Sequence, residues 1–410
     1  MSRILIQGGL VVDTDPTPHA TPATDLLVED GVIAAVGSNL PAEGAEVIDA
    51  RHHLVLPGFV DTHRHTWQSV LRSTAPYASL EEYLQAIVYG AAPRFRPEDV
   101  YAGDLLGALE CLNTGITTLL DWSHIQLSPE HTDAALDALR DSGIRAVFGY
   151  AHPAPDQRRP DEVRRVHDAV GGRVAMTLAA WGPGIGSMED AEADWRLARD
   201  LGLRISVHVN GPGPIEQLGD RGLLGPDTTY IHVNGVTDDE FKLMADSGGT
   251  ASVSPILEAQ MRLGRPEVDR LRAFGVRTSL GADAVTSVAG DMFGLMRAAF
   301  AFGRAGDPAM SAADVLRMAT IDGAAALGLE DRVGSLRPGK QADLVLLRTD
   351  TPNLVPLRDP ITAVVTAADL SNVDTVLVAG EVVKRAGRLV RADLRRTFDL
   401  AERTATHLAE

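Results

Sequence analysis

Five polar side chains of this 410-residue chain have the types that bind and use a divalent metal. His63 and His65 stand one residue apart after an apolar run, and alternate residues of an extended segment point to one side, so both imidazoles can reach one ion. His208, His232 and Asp283 each end a short apolar run further along the chain. Three neutral imidazoles and one carboxylate suit Zn²⁺ or Fe²⁺ and leave a position for water. A metal so held lowers the pKa of that water toward neutrality and generates hydroxide.

Each of these residues taken alone has an ordinary structural explanation. An isolated His-X-His pair is common at surfaces, and a single histidine at a strand end is usually a hydrogen-bonded structural residue. Four separate strand ends with the correct ligand types are much harder to explain in that way, because metal-ligand geometry is narrow. The pattern therefore favours a metal-dependent enzyme.

The elements that must position these side chains form an alternating series. Between residues 55 and 327, short apolar strands alternate with helical stretches, which predicts an α/β fold with a parallel sheet. Eight such units predict a closed, TIM-like (β/α)₈ barrel, in which catalytic groups lie where strands end. The predicted strands are Leu56–Asp61, Ile116–Asp121, Ala146–Tyr150, Val174–Ala180, Ile205–His208, Tyr230–Val233, Thr250–Ser254 and Thr278–Asp283.

The two ends of the chain share a different sequence pattern, in which short β-rich runs alternate with turn residues. We predict that residues 1–55 and 330–392 pair into one small β-sandwich, with the barrel at 56–329 and a C-terminal helix at 393–410. Pro16–Pro22 is expected to be a surface loop. The strands predicted here are Ile4–Ile6, Leu10–Val12, Leu26–Val28, Val32–Val36, Ala342–Leu347, Ile361–Thr366, Val373–Val378 and Glu381–Lys384.

Composition narrows the function classes. The formal charge of −18 argues against nucleic-acid and anionic-membrane partners, which require a concentrated basic surface. A single cysteine, Cys111, excludes an intrachain disulfide and a cysteine-rich metal site, and its helical context predicts a buried side chain. The N-terminal apolar stretch is too short for a signal peptide, and no run reaches the roughly 18 apolar residues of a membrane span. We therefore expect a cytoplasmic enzyme with a small-molecule substrate.

Several motifs together resemble the amidohydrolase superfamily. The run Pro-Gly-Phe-Val-Asp-Thr-His-Arg-His that ends at His65 resembles its first-strand signature. Gly-Ile-Thr-Thr from Gly115 and Gly-Ala-Asp-Ala from Gly281 are similar to its second and eighth strands. Gly-Ser-Leu-Arg-Pro-Gly-Lys-Gln-Ala-Asp-Leu-Val from Gly334 resembles the return into its C-terminal sandwich. The similarity runs from about Ile4 to Val390, and the nearest branch contains cytosine deaminases, guanine deaminases and triazine hydrolases.

The resemblance implies a role for each polar residue. His63, His65, His208 and Asp283 would be metal ligands. Asp283 would also take the proton from the nucleophilic water, and His232 would polarise the substrate group under attack. Two-metal members usually bridge their ions with a carboxylated lysine on the fourth strand. Arg173–Gly182 contains no lysine, so one metal is expected, with Zn²⁺ the better match and Fe²⁺ the alternative.

One position departs from the deaminase branch. That branch usually carries a glutamate three residues after the fifth-strand histidine as a proton shuttle, and this chain has Gly211 there. Three explanations stay open. Asp283 and His232 handle every proton transfer; another group such as His124 or Glu258 replaces the glutamate; or the leaving group needs less protonation than an amine, as in halide displacement or ring opening.

The placement of tryptophan indicates the shape of the substrate. Trp67, Trp122 and Trp181 come directly after the first, second and fourth predicted strands, where large aromatics favour flat, π-rich ligands. Packing of the barrel-top loops is the equally weighted structural explanation. We expect a planar nitrogen heterocycle as substrate. Its expected contacts are Trp67, Gln68, Trp122, His124, Trp181, Asn210 and Glu258.

Three functions are therefore compared. The first is hydrolysis of a C–N bond, by deamination or ring-amide cleavage, or of a C–halogen bond on a heterocycle, which makes the enzyme an amidohydrolase-type hydrolase. The second is a metal-assisted lyase or isomerase on the same barrel, suggested by the glycine at 211. The third is a non-catalytic scaffold, which has no reason to keep all four ligands. Such families are commonly homo-oligomeric, so we expect a homo-oligomer.

Overall fold

The computed structural model describes residues 2–410, which form two compact units. One unit comprises the segment that ends at Asp61 together with Glu110–Thr118 and Asp291–Ala392. The other comprises Thr62–Leu109, Leu119–Gly290 and Asp393–Glu410. Among the described residues, no helix is both long and apolar enough to cross a membrane.

The N-terminal strands belong to a mixed sheet. They are β1 (Arg3–Asp13), β2 (His19–Glu29), β3 (Val32–Gly37), β4 (Glu46–Asp49) and β5 (His53–Pro57). The two runs predicted at Ile4–Ile6 and Leu10–Val12 are one strand, β1, whose pairing with β2 shifts register around Gly9. The segment Pro16–Pro22, expected as a loop, runs into β2 at His19.

The barrel strands all lie in one parallel sheet in sequential order. They are β6 (Phe59–Arg64), β7 (Ile116–Ser123), β8 (Arg145–Tyr150), β9 (Val174–Ala180), β10 (Ile205–Asn210), β11 (Thr228–Asn234), β12 (Thr250–Val253) and β13 (Arg277–Leu280). A parallel bridge between Arg64 and Asp283 connects the two outermost strands just beyond β13, so the sheet closes on itself. The (β/α)₈ prediction is confirmed.

Two strand bounds differ from the prediction for a physical reason. Leu56 does not begin the first barrel strand but pairs with Val345 in the mixed sheet, and Gly58 separates the two strands. The eighth strand ends at Leu280, and Asp283 follows it in a left-handed backbone conformation with φ of 62°. An apolar run cannot reveal either change of direction.

The C-terminal strands complete the mixed sheet. They are β14 (Leu344–Arg348), β15 (Val373–Val378), β16 (Glu381–Arg385) and β17 (Arg388–Leu389). The order is β17-β16-β15-β14-β5-β1-β2-β3, with β4 beside β1, so both chain ends build one nine-stranded sheet, as expected. Its buried apolar core includes Ile6, Leu26, Val55 and Leu346.

The helices follow or separate the strands along the chain. They are α1 (Leu80–Tyr83), α2 (Pro97–Asn113), α3 (Pro129–Ser142), α4 (Pro160–Ala169), α5 (Met188–Asp200), α6 (Pro214–Asp220), α7 (Asp238–Ser247), α8 (Pro255–Gln260), α9 (Val268–Ala273), α10 (Met292–Gly306), α11 (Ala312–Met318), α12 (Ile321–Ala326), α13 (Pro360–Thr366) and α14 (Leu394–Ala409). A 3₁₀ turn, Thr66–Leu71, follows β6, and a π-helical segment, Leu84–Ala91, follows α1.

The strand predicted at Ile361–Thr366 is wrong, because this segment is helix α13. Asp359 accepts hydrogen bonds from the amides of Ile361 and Thr362, and Pro360 occupies the first helical position. An N-cap aspartate followed by proline stabilises a helix start strongly enough to override a β-rich run. The C-terminal helix and the buried helical position of Cys111 are as predicted.

Candidate metal centre and active site

The first and last barrel strands meet at the expected ligands. The Asp283 amide donates to the His63 carbonyl at 2.8 Å, and the His65 amide donates to the Asp283 carbonyl at 3.1 Å. Gly281 makes this approach possible, since a Cβ there would lie 2.6 Å from the His63 Cβ. The glycine of the Gly-Ala-Asp-Ala motif thus lets β13 and β6 lie close enough for their side chains to converge.

Five side chains converge beyond these strand ends. Asp283 Oδ1 lies 3.4 Å from His63 Nε2 and 3.3 Å from His65 Nε2, and Asp283 Oδ2 lies 3.3 Å from His232 Nε2. The ring of His208 lies 4.8 Å from that of His63, centroid to centroid. The donor atoms of His63, His65 and Asp283 fall within 4.8 Å of one another, and so do those of His63, His208 and His232. The structure therefore brings together all five residues singled out from the sequence.

Hydrogen bonds at the far side of two rings fix which nitrogen faces the cluster. His65 Nδ1 lies 2.9 Å from the carbonyl oxygen of Trp122, to which it can donate, and this leaves the lone pair of Nε2, on the side of Asp283, available to a metal. His232 Nδ1 lies 3.2 Å from Glu258 Oε1, which also accepts from the Ser254 amide at 2.6 Å. Partners of this kind orient metal-ligating and catalytic imidazoles.

Glu258 contacts His232 on the side away from Asp283. Its side chain is fully buried and lies on the Nδ1 side of His232, whereas Asp283 lies on the Nε2 side. Glu258 Oε1 is therefore placed to orient His232. The expected contact of Glu258 with the substrate stays a prediction.

The backbone at this site adopts conformations that are rare for residues other than glycine. φ is 70° at His232, 56° at Val233 and 62° at Asp283. Left-handed backbone disfavours such residues and persists where the surrounding structure enforces it, as it often does at active sites. These three values place uncommon backbone conformations at the end of β11 and just beyond β13.

Burial favours the neutral form of three of the four clustered imidazoles. Loss of solvent holds the pKa of His63, His65 and His208 well below the usual histidine range, and neighbouring histidines lower it further. His232 differs: burial lowers its pKa, but the hydrogen bond to Glu258 and the charge of Asp283 more than offset this, so its pKa is raised. Neutral imidazoles are the form that binds metals.

An aromatic wall lies beside the histidines. The Trp122 ring packs 4.5 Å from His208 and 5.6 Å from His65, centroid to centroid, and is 1% exposed. His124 lies 4.4 Å from the His65 ring and 5.4 Å from the fully buried Trp67. Trp122 and Trp67 therefore pack around the site, and the partly exposed Trp181 remains as the tryptophan with surface for a ligand.

Gln68 and Asn210 are two further residues that were expected to contact the substrate. Gln68 Nε2 donates to the hydroxyl of Tyr83 at 2.5 Å, and both side chains are buried. Asn210 ends β10 as an exposed residue, and no contact within residues 2–410 places it at the histidine cluster. Gly211 has φ of 75°, and a Cβ there would meet no described atom within 4 Å.

Sequence reasoning missed His152 and Tyr83. His152 follows the third barrel strand, is 1% exposed and accepts the indole proton of Trp181 at its carbonyl oxygen at 3.0 Å. The strand-end rule that selected the other histidines would have selected it as well. Tyr83 lies in a segment without a recognisable motif, so only the fold reveals its contact with Gln68.

Comparisons with known proteins agree on the family of this chain. Residues 54–383 match the amidohydrolase family. The chain is 32% identical to a 5-methylthioadenosine/S-adenosylhomocysteine deaminase of Symbiobacterium thermophilum, over 93% of this chain and 94% of the relative. It is 31% identical to a 5′-deoxyadenosine deaminase of Methanothermobacter thermautotrophicus, over 99% and 98% respectively.

Solved structures agree in fold. An adenosine deaminase of Xanthomonas campestris with bound zinc superposes with a TM-score of 0.91 at 25% identity, covering 100% of this chain and 99% of that one. The atrazine chlorohydrolase of Arthrobacter aurescens in complex with zinc has a TM-score of 0.90 at 24% identity, covering 98% and 100%. At this identity the second likeness establishes the fold alone.

Proposed function

The chain belongs to the amidohydrolase family, and we propose that it is a one-metal aminohydrolase that removes an exocyclic amine from a planar nitrogen heterocycle, an adenine nucleoside above all. The observation that carries this is the convergence of four imidazoles and the Asp283 carboxylate at the ends of barrel strands. Near-full-length relatives named as deaminases of adenine nucleosides support the substrate class.

His63, His65, His208 and Asp283 would hold the metal, with Zn²⁺ the better match and Fe²⁺ the alternative. Neutral, buried imidazoles and one carboxylate are the donor set that such ions prefer, and His63 belongs to both groups of donor atoms that lie within 4.8 Å of one another. A divalent ion at this point would lower the pKa of a water molecule and make it a nucleophile near neutral pH. His232, with Glu258 at Nδ1 and Asp283 at Nε2, would act on the substrate and not as a ligand, as the family resemblance implies.

Asp283 and His232 would carry the proton transfers. Asp283 Oδ2 lies 3.3 Å from His232 Nε2, so both groups address one reacting centre. The carboxylate would accept the protons of the water that attacks the amine-bearing carbon and pass them to the ring nitrogen and to the amine, which leaves as ammonia. His232 would donate a hydrogen bond to a heteroatom bonded to that carbon. This is the first of the three explanations for Gly211, and the placement of Glu258 behind His232 supports it. Trp181 and His124 would contact the flat ring.

The test is substrate profiling of the zinc-loaded protein. Ammonia release is measured with adenosine, 5′-deoxyadenosine, 5′-methylthioadenosine and S-adenosylhomocysteine, beside cytosine, guanine and chlorotriazines. We expect turnover of adenine nucleosides and incorporation of ¹⁸O from labelled water into the product. Release of chloride alone would replace deamination by dehalogenation, and turnover without ¹⁸O would favour a lyase or isomerase. A protein that loads no metal and turns over none of these rings would overturn the proposal.

Three further expectations are kept as proposals. We propose the domain division 1–55 with 330–392, 56–329 and 393–410, and both a homo-oligomeric state and a cytoplasmic location. Limited proteolysis and sedimentation equilibrium test the first two, because cleavage at the boundaries and a mass above 43.6 kDa are expected.

A further inference from the structure

Trp181 lies at the edge of the aromatic wall, directly after β9. Its ring centroid is 5.5 Å from that of Trp122 and 6.3 Å from that of His124, both in edge-to-face geometry. Unlike Trp67 and Trp122, it is partly exposed. Trp181 is therefore the tryptophan of this wall with surface that a flat ring could contact.

The segment that follows β8 contacts the indole of Trp181. Trp181 Nε1 donates to the carbonyl oxygen of His152 at 3.0 Å. His152 lies in the segment 151–159 that follows β8, and Pro155 of this segment packs close to Gly186 of the loop after Trp181. A shift of the segment would therefore move or release the indole.

Asp194 on helix α5 anchors this segment. Its Oδ1 accepts from Arg158 Nε at 2.7 Å and lies 3.3 Å from His152 Nε2. The side chain of Asp194 is 4% exposed, so little water competes for the carboxylate. Charge-assisted contacts of a buried carboxylate are among the stronger polar interactions in proteins.

Three hydrogen bonds of Arg159 fix the geometry further. The Arg159 amide donates to His152 Nδ1 at 3.1 Å, so the ring proton resides on Nε2, which faces Asp194. The Arg159 guanidinium donates from Nη1 to the carbonyl oxygens of Gln126 and Leu127 at 3.2 Å each. The segment thus connects the loops that follow β7 and β9.

We propose that Asp194 is a positioning residue that sets substrate affinity through Trp181. It fixes His152 and Arg158, these fix the segment 151–159, and the segment orients the indole against the bound ring. The proposal deepens and rests on the proposed function, because a planar substrate must stack at this wall. Asp194 touches no reacting atom, so its loss should weaken binding and leave the chemical step intact.

The experiment compares Asp194→Asn with Asp200→Asn, a matched change at the exposed end of the same helix. For Asp194→Asn we expect KM for the best nucleoside to rise about 3- to 10-fold, the range of one aromatic contact, with kcat within about twofold and unchanged zinc content. Trp181→Phe should raise KM similarly, and the double variant should add little, because both changes remove one contact. Asp200→Asn should match the wild type.

Acrylamide quenching of tryptophan fluorescence, without substrate, provides a readout independent of activity. Quenching should increase in Asp194→Asn and should not increase in Asp194→Asn/Trp181→Phe relative to Trp181→Phe. Unchanged KM and quenching in Asp194→Asn, or fully additive effects in the double variant, overturn the proposal. If the wild type turns over no nucleoside while quenching still responds as expected, the positioning stands and the proposed function fails. Should Asp194→Asn fold poorly, Arg158→Gln removes one of its two contacts and should give smaller changes in the same direction.

Discussion

The backbone amide of Asp283 and the carbonyl of His63 form a 2.8 Å hydrogen bond that joins the eighth barrel strand to the first. The side chains of the same two residues lie 3.4 Å apart, at the point where we propose the metal. Closure of the barrel and assembly of the candidate centre therefore depend on the same few atoms. A change that separates these strands should damage both.

Gly281→Ala tests this dependence. The added methyl group would lie 2.6 Å from the His63 Cβ and 2.8 Å from its amide nitrogen, so β13 must move outward. We expect a loss of about 1–3 kcal/mol in the free energy of unfolding, typical of overpacking, together with a sharp loss of bound zinc. Calorimetry and elemental analysis measure the two effects. Gly171→Ala, whose Cβ meets no described atom within 4 Å, is the control, and equal behaviour of both variants would contradict the prediction.

His208→Ala should remove the metal and the activity together. Few groups share the ligation, so loss of one imidazole lowers metal affinity by at least about 10- to 100-fold. The fold should remain, because the residue lies at the catalytic rim of the barrel. Zinc content, turnover and circular dichroism are measured on one preparation. A variant that keeps full zinc would remove His208 from the proposed ligand set.

His232→Asn should separate catalysis from metal binding. Asparagine can still occupy the space beside Asp283 but cannot act as an acid, so kcat should fall by about 10²–10⁴-fold. The zinc content should stay at the wild-type level, because His63, His65, His208 and Asp283 remain. Retained full activity would show that the role proposed for His232 is wrong.

Glu258→Gln should give a milder version of the same effect. The amide keeps the size of the side chain but removes the negative charge next to His232. In the wild type, Glu258 Oε1 lies 3.2 Å from His232 Nδ1. We expect kcat to fall by about 10- to 100-fold without loss of zinc, as for other residues that orient a catalytic imidazole. If the variant instead releases less ammonia only from substrates whose amine is a poor leaving group, Glu258 takes a direct part in proton delivery.

A buried carboxyl pair predicts an unusual dependence of stability on pH. Burial raises the pKa of Asp121 to about 7 and that of Asp104 well above its usual range, although the Thr66 amide donates to Asp121. The folded protein then keeps protons that the unfolded chain releases from about pH 4 upward. The free energy of unfolding should therefore contain a contribution that is complete below pH 4 and lost as the pH rises toward 7.

Asp104→Asn isolates that contribution. Neither carboxyl oxygen of Asp104 has a hydrogen-bond partner among residues 2–410, so the neutral amide should be tolerated. Urea unfolding at pH 5 and pH 8 should show a smaller decline for Asp104→Asn than for the wild type, whereas the exposed Asp239→Asn should follow the wild type. Parallel declines in all three proteins would mean that Asp104 ionises in the folded state as it does in the unfolded chain.

The sequence predicted this site well where one strand end determines one side chain. His63, His65, His208, His232 and Asp283 are at the ends that an alternating pattern locates, and the structure brings them together. The surroundings of each histidine ring were harder to predict from the sequence. The position of Glu258 on the far side of His232 depends on where α8 begins relative to β11, and short-range patterns do not contain that information. The same limit explains Leu56, because only pairing with Val345 assigns it to the mixed sheet.

The pairing of β5 with β14 has a consequence for biosynthesis. His53 lies opposite Arg348, so the N-terminal strands must wait for a partner that the ribosome adds about 290 residues later, on the order of 15–60 s at usual elongation rates. During that interval their apolar faces and open edges are exposed to other nascent chains. Folding in the cell should therefore be more sensitive to chaperone supply and to C-terminal truncation than the stability of the finished enzyme suggests.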